Sequence, residues 1–367
     1  MNPFTEGPHF VLPSMNRVRL VDLPGLAVPL AWQNKQGYQL LGQQALVRQI
    51  RRETAVLQLN PHAPDLLHQF DACFESPDDG VRETAVSIAR EYGRKLAYHQ
   101  LVLKRADAVN RVVRPDWQAA HWNYWSQIRQ VWLGGGLMAG HCGAVAAAEA
   151  QTFIRRHGFP GYTLAVSPHA ASLPLLGAAR AAPPAAPAML VFDFGQTAIK
   201  RAVAHYRYGV LVKLTVLRSL PADCPHLDWS QDRSLAAQTR DRILHVVGET
   251  WMEVEAHGVR LCDTLTLVLA CYLLHGQPRP EDWGCYGRLQ QFAPYLSSYL
   301  AAQLEPHIGQ PVQINLLHDG QAAALPYAGQ PHSAVITFGT ALGIGFPPAL
   351  SADLRPVSQN FELEAGE

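Results

Sequence analysis

The chain has 367 residues, 48% hydrophobic and 16% charged, which excludes a wholly disordered chain and supplies core material for about two domains. Acidic and basic residues balance at 30 each without a long run of one sign, so the basic face that nucleic-acid binding needs is not expected. Six cysteines lie scattered without a CxxC pair or zinc-finger spacing; they read as buried thiols suited to a reducing cytoplasm. The first residues lack a basic region followed by an apolar run. No apolar stretch reaches the ~18–20 residues of a membrane span, so neither a secretory signal nor a membrane partner is expected.

In chain order, strand-like runs come first at Val18 to Asp22 and Leu26 to Trp32. A helix is predicted over Asp78 to Lys104, with cap residues from Ser76 to Asp79 and Val81, Ala85, Ile88, Tyr92 and Leu96 at helical spacing. A strand at Gln130 to Leu133 feeds into Gly134-Gly135-Gly136, followed by a helix from about Gly140 to His157. Thr163 to Val166 reads as a strand and Ser172 to Ala179 as a short helix. Ala178 to Ala188 is low in complexity and holds three prolines, which suits an extended connector.

After it, Met189 to Phe192, Ile199 to Tyr206 and Val210 to Arg218 read as three antiparallel strands, with a hairpin at Arg207-Tyr208-Gly209. A helix over Leu235 to Ala256 closes at His257-Gly258. Next come a buried strand (Thr264 to Ala270), a helix (Tyr286 to Leu304) and a strand (Val312 to Leu317). A short helix (Gln321 to Leu325) and a strand (Ala334 to Phe338) complete the series. Three strands followed by alternating helices and strands is the pattern of a ribonuclease-H-like α/β half.

Four segments carry possible chemistry. In Asp193-Phe194-Gly195-Gln196-Thr197-Ala198-Ile199-Lys200, a carboxylate at a strand end and a Gly/Thr turn suit Mg²⁺ and phosphate, or an ordinary β-hairpin. In His318-Asp319-Gly320-Gln321, Asp319 is either a helix cap or a base able to take a proton from a substrate hydroxyl. Phe338 to Phe346 holds Gly339, Thr340, Gly343 and Gly345, a second phosphate loop or a glycine-rich turn. Gly134 to Gly136 can pass beneath a nucleotide or form a plain strand-to-helix turn.

Together these segments resemble the ROK family (repressors, open reading frames and sugar kinases) of the actin-like ATPase superfamily. Members show DxGGTxIK, NDxNAAAL, GTGxG, LGGG and SxLGxxAxLxGAA in that order. This chain has Asp193 to Lys200, His318 to Leu325 and Gly339 to Gly345 in family order, but Leu133 to Gly136 and Ser167 to Ala179 stand before them. Circular permutation explains the swap, with the Ala/Pro connector joining the family's old termini and new ends between Glu367 and Met1.

The resemblance covers the chain from about Asp78 onward. It implies two ribonuclease-H-like lobes around a cleft: 1–180 plus 335–367 as the family's C-terminal domain, 181–188 as linker, and 189–334 as the N-terminal domain. It further implies ATP-dependent phosphorylation of a hexose-like sugar hydroxyl, with Asp319 as general base and Asp193 acting on Mg²⁺. Gly195, Gln196, Thr197, Lys200, Gly339, Thr340 and Gly343 would serve the phosphates, and Gly134, Gly135 and Gly136 the adenosine. His318, Gln321 and Glu367 would meet the sugar, the last through an AGE-like ending at Glu364-Ala365-Gly366-Glu367. Homodimers are common in such proteins.

The family's zinc motif is missing, so zinc is not expected. Gln196 and Ala341 stand where the family has glycine, and His318 and Gln321 where it has Asn. These departures support an alternative, a catalytically weakened sugar- or nucleotide-binding sensor or scaffold of the same fold.

Overall fold

A computed structural model describes residues 2–4, 11–184, 186–224, 230–274 and 276–365. Chain order gives helix α1 (Asp79–Arg105), strand β1 (Gln130–Gly134), helix α2 (His141–Arg156), strand β2 (Thr163–Val166) and helix α3 (Leu173–Ala179). Strands β3 (Ala188–Phe194), β4 (Ala198–Arg207) and β5 (Val210–Pro221) follow, then helix α4 (Arg233–Ala256) and strand β6 (Thr264–Leu269). The series closes with α5 (Leu296–Ile308), β7 (Gln313–His318), α6 (Asp319–Ala324), β8 (Ser333–Phe338), β9 (Leu342–Gly345) and β10 (Val357–Ala365). The fold is mixed α/β and divides into two units, Met1–Ser172 with Gln330–Phe346, and Leu173–Gly329 with Pro347–Glu367.

In the first unit the sheet runs β9-β8-β1-β2, antiparallel between β8 and β9 and parallel elsewhere. Asp78 starts α1 by accepting hydrogen bonds from the Gly80 and Val81 amides, the expected cap. Gly93, a weak helix former, is explained by packing. A Cβ there would lie 2.4 Å from the Ala146 carbonyl of α2, so glycine lets the two helices touch. Tyr92, Trp122, Trp125 and Phe338 fill the core beneath them.

In the second unit the sheet runs β7-β6-β3-β4-β5-β10. The meander β3–β4–β5 is antiparallel; β6 and β7 continue from β3 in parallel, and β10 adds in parallel to β5. All seven residues of β3 are buried, which fits a central strand whose apolar run is broken only by Asp193. The β4–β5 turn puts Tyr208 (φ 53) and Gly209 (φ 75) in the left-handed region, as a two-residue hairpin requires. α4 and α5 cover one sheet face, where Phe192, Phe194, Trp251 and Leu300 pack. α3 and α6 cover the other, with Met189, Val191 and Val268. At Gly177 of α3 a Cβ would fall 1.7 Å from the Ala322 carbonyl of α6, so those helices meet backbone to backbone.

Several expectations change. Leu26 to Trp32 is not a strand, because Pro29 interrupts it; the first run shortens to Arg19–Leu20, paired with Lys35–Gln36. The single helix expected over 286–304 is a 3-10 turn at Gly287–Gln291 and then α5, with Pro294 in the break. The Ala/Pro segment is no bare connector: Ala178 and Ala179 end α3, and Ala182 and Ala186 pack in the second unit's core. α3 and β10 also lie in that unit, whereas the sequence grouping placed 1–180 and 335–367 together. The cysteines are not all free thiols. Cys224 and Cys285 form a disulfide, while Cys73, Cys142, Cys262 and Cys271 are free. No helix among the described residues is long and apolar enough to cross a membrane.

Candidate functional site

The second unit gathers its polar groups at the carboxyl ends of β3, β6 and β7. The register sets Phe194, Leu269 and His318 side by side across these parallel strands. Open α/β sheets bind ligands at this edge. Because side chains alternate along a strand, Asp193 points to the opposite face from Phe194, the one covered by α3 and α6. Its residue is 8% exposed. Burial pushes its carboxyl up to about 6; Lys200, its partner across the β3–β4 ladder, pulls downward, and Asp319 pushes upward again. Asp193 and Asp319 therefore sense each other's charge.

Asp319 opens α6. Burial alone would raise its carboxyl, but the charge of His318, the His318 hydrogen bond and the Gly320 amide outweigh it and hold the group below its ordinary value. His318 Nε2 lies 2.8 Å from Asp319 Oδ1, and Gly320 N donates to the same oxygen at 2.6 Å. The His318 ring stacks on Tyr272 at 4.3 Å with an interplanar angle of 20°. Tyr272 N in turn donates to Asp282 Oδ2 at 3.3 Å, and Gly284 N to Asp282 Oδ1 at 3.0 Å. Gln290 Nε2 ties this segment down through the carbonyls of Arg279, Asp282 and Gly287.

The turn after β3 is held from both sides. Gly195 N donates to Ala198 O at 3.1 Å, and the Tyr286 hydroxyl donates to Gly195 O at 2.8 Å. Gln196 is half-buried, Thr197 exposed, and Gln321 exposed on α6.

The first unit carries the other glycine segments. Gly134 of β1 sits opposite Thr337 of β8, so Gly134–Gly136 and the Gly339-Thr340-Ala341 turn occupy one carboxyl edge. Gly135 has φ +89, and a Cβ there would lie 2.3 Å from Phe338 O; its amide donates to Ala170 O at 2.7 Å. A Cβ on Gly136 would meet nothing within 4 Å. Gly339 N donates to Ala341 O at 3.2 Å, and Gly339 O accepts from Gln43 N at 2.9 Å. Asn16 grips Leu342 twice, donating to its carbonyl at 2.8 Å and accepting from its amide at 2.9 Å. φ at Ala341 is not positive, so its Cβ is accommodated without backbone strain. Gly343 falls inside β9, paired with Thr337.

The structure thus brings together Asp193, Lys200, His318 and Asp319 in one unit, and Gly134–Gly136 with Gly339 and Thr340 in the other. Glu367, assigned to the sugar, lies outside the described residues. Sequence reasoning missed Tyr272, Asp282 and Tyr286, which brace the Asp193 turn and His318. It also missed Asn16 and Gln43, which hold the second glycine turn. Among the described residues no group of three or more His, Cys, Asp or Glu side chains could hold a metal ion. No protein-family model matches the chain, and no curated protein matches it.

Proposed function

We propose that the chain is an ATP-dependent kinase for a hexose-like sugar hydroxyl, built on a permuted actin-like fold. The observation that carries this reading is the second unit's strand order, β5-β4-β3-β6-β7, with Asp193 and Asp319 at the carboxyl ends of β3 and β7. An antiparallel meander continued by two parallel strands is the ribonuclease-H-like arrangement implied by the motif resemblance. The first unit supports permutation. Its order β9-β8-β1-β2 is the same pattern without a third meander strand, once β8 and β9 are taken to precede β1 and β2.

In this reading Asp319 accepts the proton of the sugar hydroxyl, kept ready by donors that hold it ionised. Asp193 fits a cation: it is a buried carboxyl whose ionisation is costly and only partly eased by Lys200, so added positive charge would favour its ionised form. Mg²⁺ held there by Asp193 would supply charge neutralisation for the phosphates. In the second unit Thr197, Lys200 and the Gly195 turn would face phosphate; in the first, the resemblance gives the Gly339 turn a phosphate role and Gly136, with free space on its Cβ side, an adenosine role. By the resemblance, His318, Gln321 and Glu367 would lie on the sugar side. A cytoplasmic location would suit the four free thiols, whereas the Cys224–Cys285 disulfide does not call for one. A homodimer rests on the resemblance alone.

One observation favours the rival, a binding protein without turnover. The Gly195 and Gly339 amides, natural phosphate donors, are both committed to carbonyls within their own turns. Gln196 adds bulk where the family has glycine. ATP consumption assayed against a panel of sugars separates the two. The kinase reading expects turnover with at least one sugar; nucleotide binding with none supports the rival.

A further inference from the structure

We infer that His318 is a positioning residue for Asp319, not a contact to the sugar. The inference rests on the reading of Asp319 as the base for a hydroxyl. It reassigns the residue that the motif comparison places against the substrate, and four observations carry it.

First, the His318 side chain is only 6% exposed, so little of it can meet a ligand. Second, its Nε2 is committed. An ionised carboxylate only accepts hydrogen bonds, so at 2.8 Å the proton sits on Nε2 and points at Asp319 Oδ1. Third, the ring cannot turn freely. One face lies on Tyr272, whose amide is fixed by Asp282, and Asp282 is fixed in turn by Gly284 N and by the Gln290 bond to its carbonyl. The Asp282 charge also faces the imidazole. Fourth, both donors to Asp319, His318 Nε2 and Gly320 N, converge on Oδ1. Oδ2 has no partner among the described residues, and the side chain is 27% exposed.

The result is a carboxylate with one oxygen anchored and the other presented. His318 sets which oxygen is presented and keeps it ionised, much as an orienting partner fixes a catalytic group elsewhere. In the transfer step the hydroxyl O–H bond breaks as its proton passes to Oδ2. The oxygen's electron pair forms the new P–O bond, and the nucleoside diphosphate leaves with the electrons of the old one. His318 neither gains nor loses a proton.

Steady-state kinetics of His318→Leu and His318→Gln against wild type test this. Leu cannot donate, so kcat is expected to fall about 100-fold with KM within about twofold. Gln can donate to Oδ1, and kcat should recover to within about tenfold of wild type. A rise in KM with kcat unchanged in both variants overturns the inference, because His318 would then be binding the sugar. A second readout needs no turnover: long-range ¹⁵N–¹H NMR of the histidine rings without ligand. His318 should carry its proton on Nε2, and that resonance should move in Asp319→Ala. An Nε2 that carries no proton, or a resonance indifferent to Asp319→Ala, overturns the inference. Failure of the wild type to consume ATP with any sugar is a distinct result. It sinks the kinase reading, and the NMR outcome still decides the role of His318.

Discussion

Replacing Asp193 by Asn should stabilise the protein without ligand at neutral pH. Asp193 is the one polar residue in β3, and burial lifts its carboxyl from 3.8 to about 6. At ~1.4 kcal/mol per pH unit, that rise corresponds to about 3 kcal/mol of folding stability given up when the group ionises. The sign follows from proton binding. The folded chain holds this proton more tightly than the unfolded chain, so stability is fullest below about pH 4 and falls as pH rises through about 6. Asn keeps the shape and carries no charge. The variant should therefore match wild type near pH 4 and exceed it by up to about 3 kcal/mol at pH 7 in urea denaturation. Hydrogen exchange of the β3 and β6 amides gives the local version of the same measurement. Mg²⁺ at pH 7 should narrow the gap by stabilising wild type alone. An Asn variant less stable than wild type at both pH values would refute the reasoning, because the carboxylate would then be holding the fold together.

Gly177→Ala should be severe, since its Cβ would fall 1.7 Å from the Ala322 carbonyl. α6 must shift, and with it Asp319; urea denaturation should show a loss of more than about 2 kcal/mol, with ATP turnover reduced in whatever folds. Gly135→Ala adds both a left-handed φ penalty and a 2.3 Å approach to Phe338 O, and should lower the melting temperature by several degrees. Thiol alkylation of the unreduced, denatured chain followed by mass spectrometry should label Cys73, Cys142, Cys262 and Cys271. Cys224 and Cys285 should react only after reduction.

Much of the second unit was legible because its signals are local. Apolar runs bounded by Gly209 and Gly258 marked β3 to β6, and both glycines adopt the positive φ that ends those elements. Asp193 and Asp319 could be singled out because each carboxylate interrupts or ends an apolar run. The brace around them could not. Tyr272, Asp282 and Tyr286 sit in non-periodic segments and act through tertiary hydrogen bonds that leave no sequence period. Spacing likewise hides a disulfide across 61 residues. The hold on the Gly339 turn was hidden for a similar reason: Gln43 contributes only its backbone, and Asn16 lies 326 positions from Leu342. The break at Pro294 could have been read directly, since the apolar spacing on either side concealed a residue that cannot continue a helix.

The central claim is that Asp319 takes the proton from a sugar hydroxyl. Single-turnover phosphoryl transfer from ATP, followed for wild type and Asp319→Asn at matched nucleotide occupancy, tests it most directly. The account predicts transfer to a sugar by wild type and a rate at least about 100-fold slower in the variant, with ATP still bound. Equal rates in the two proteins, or no transfer to any sugar by wild type, would contradict it.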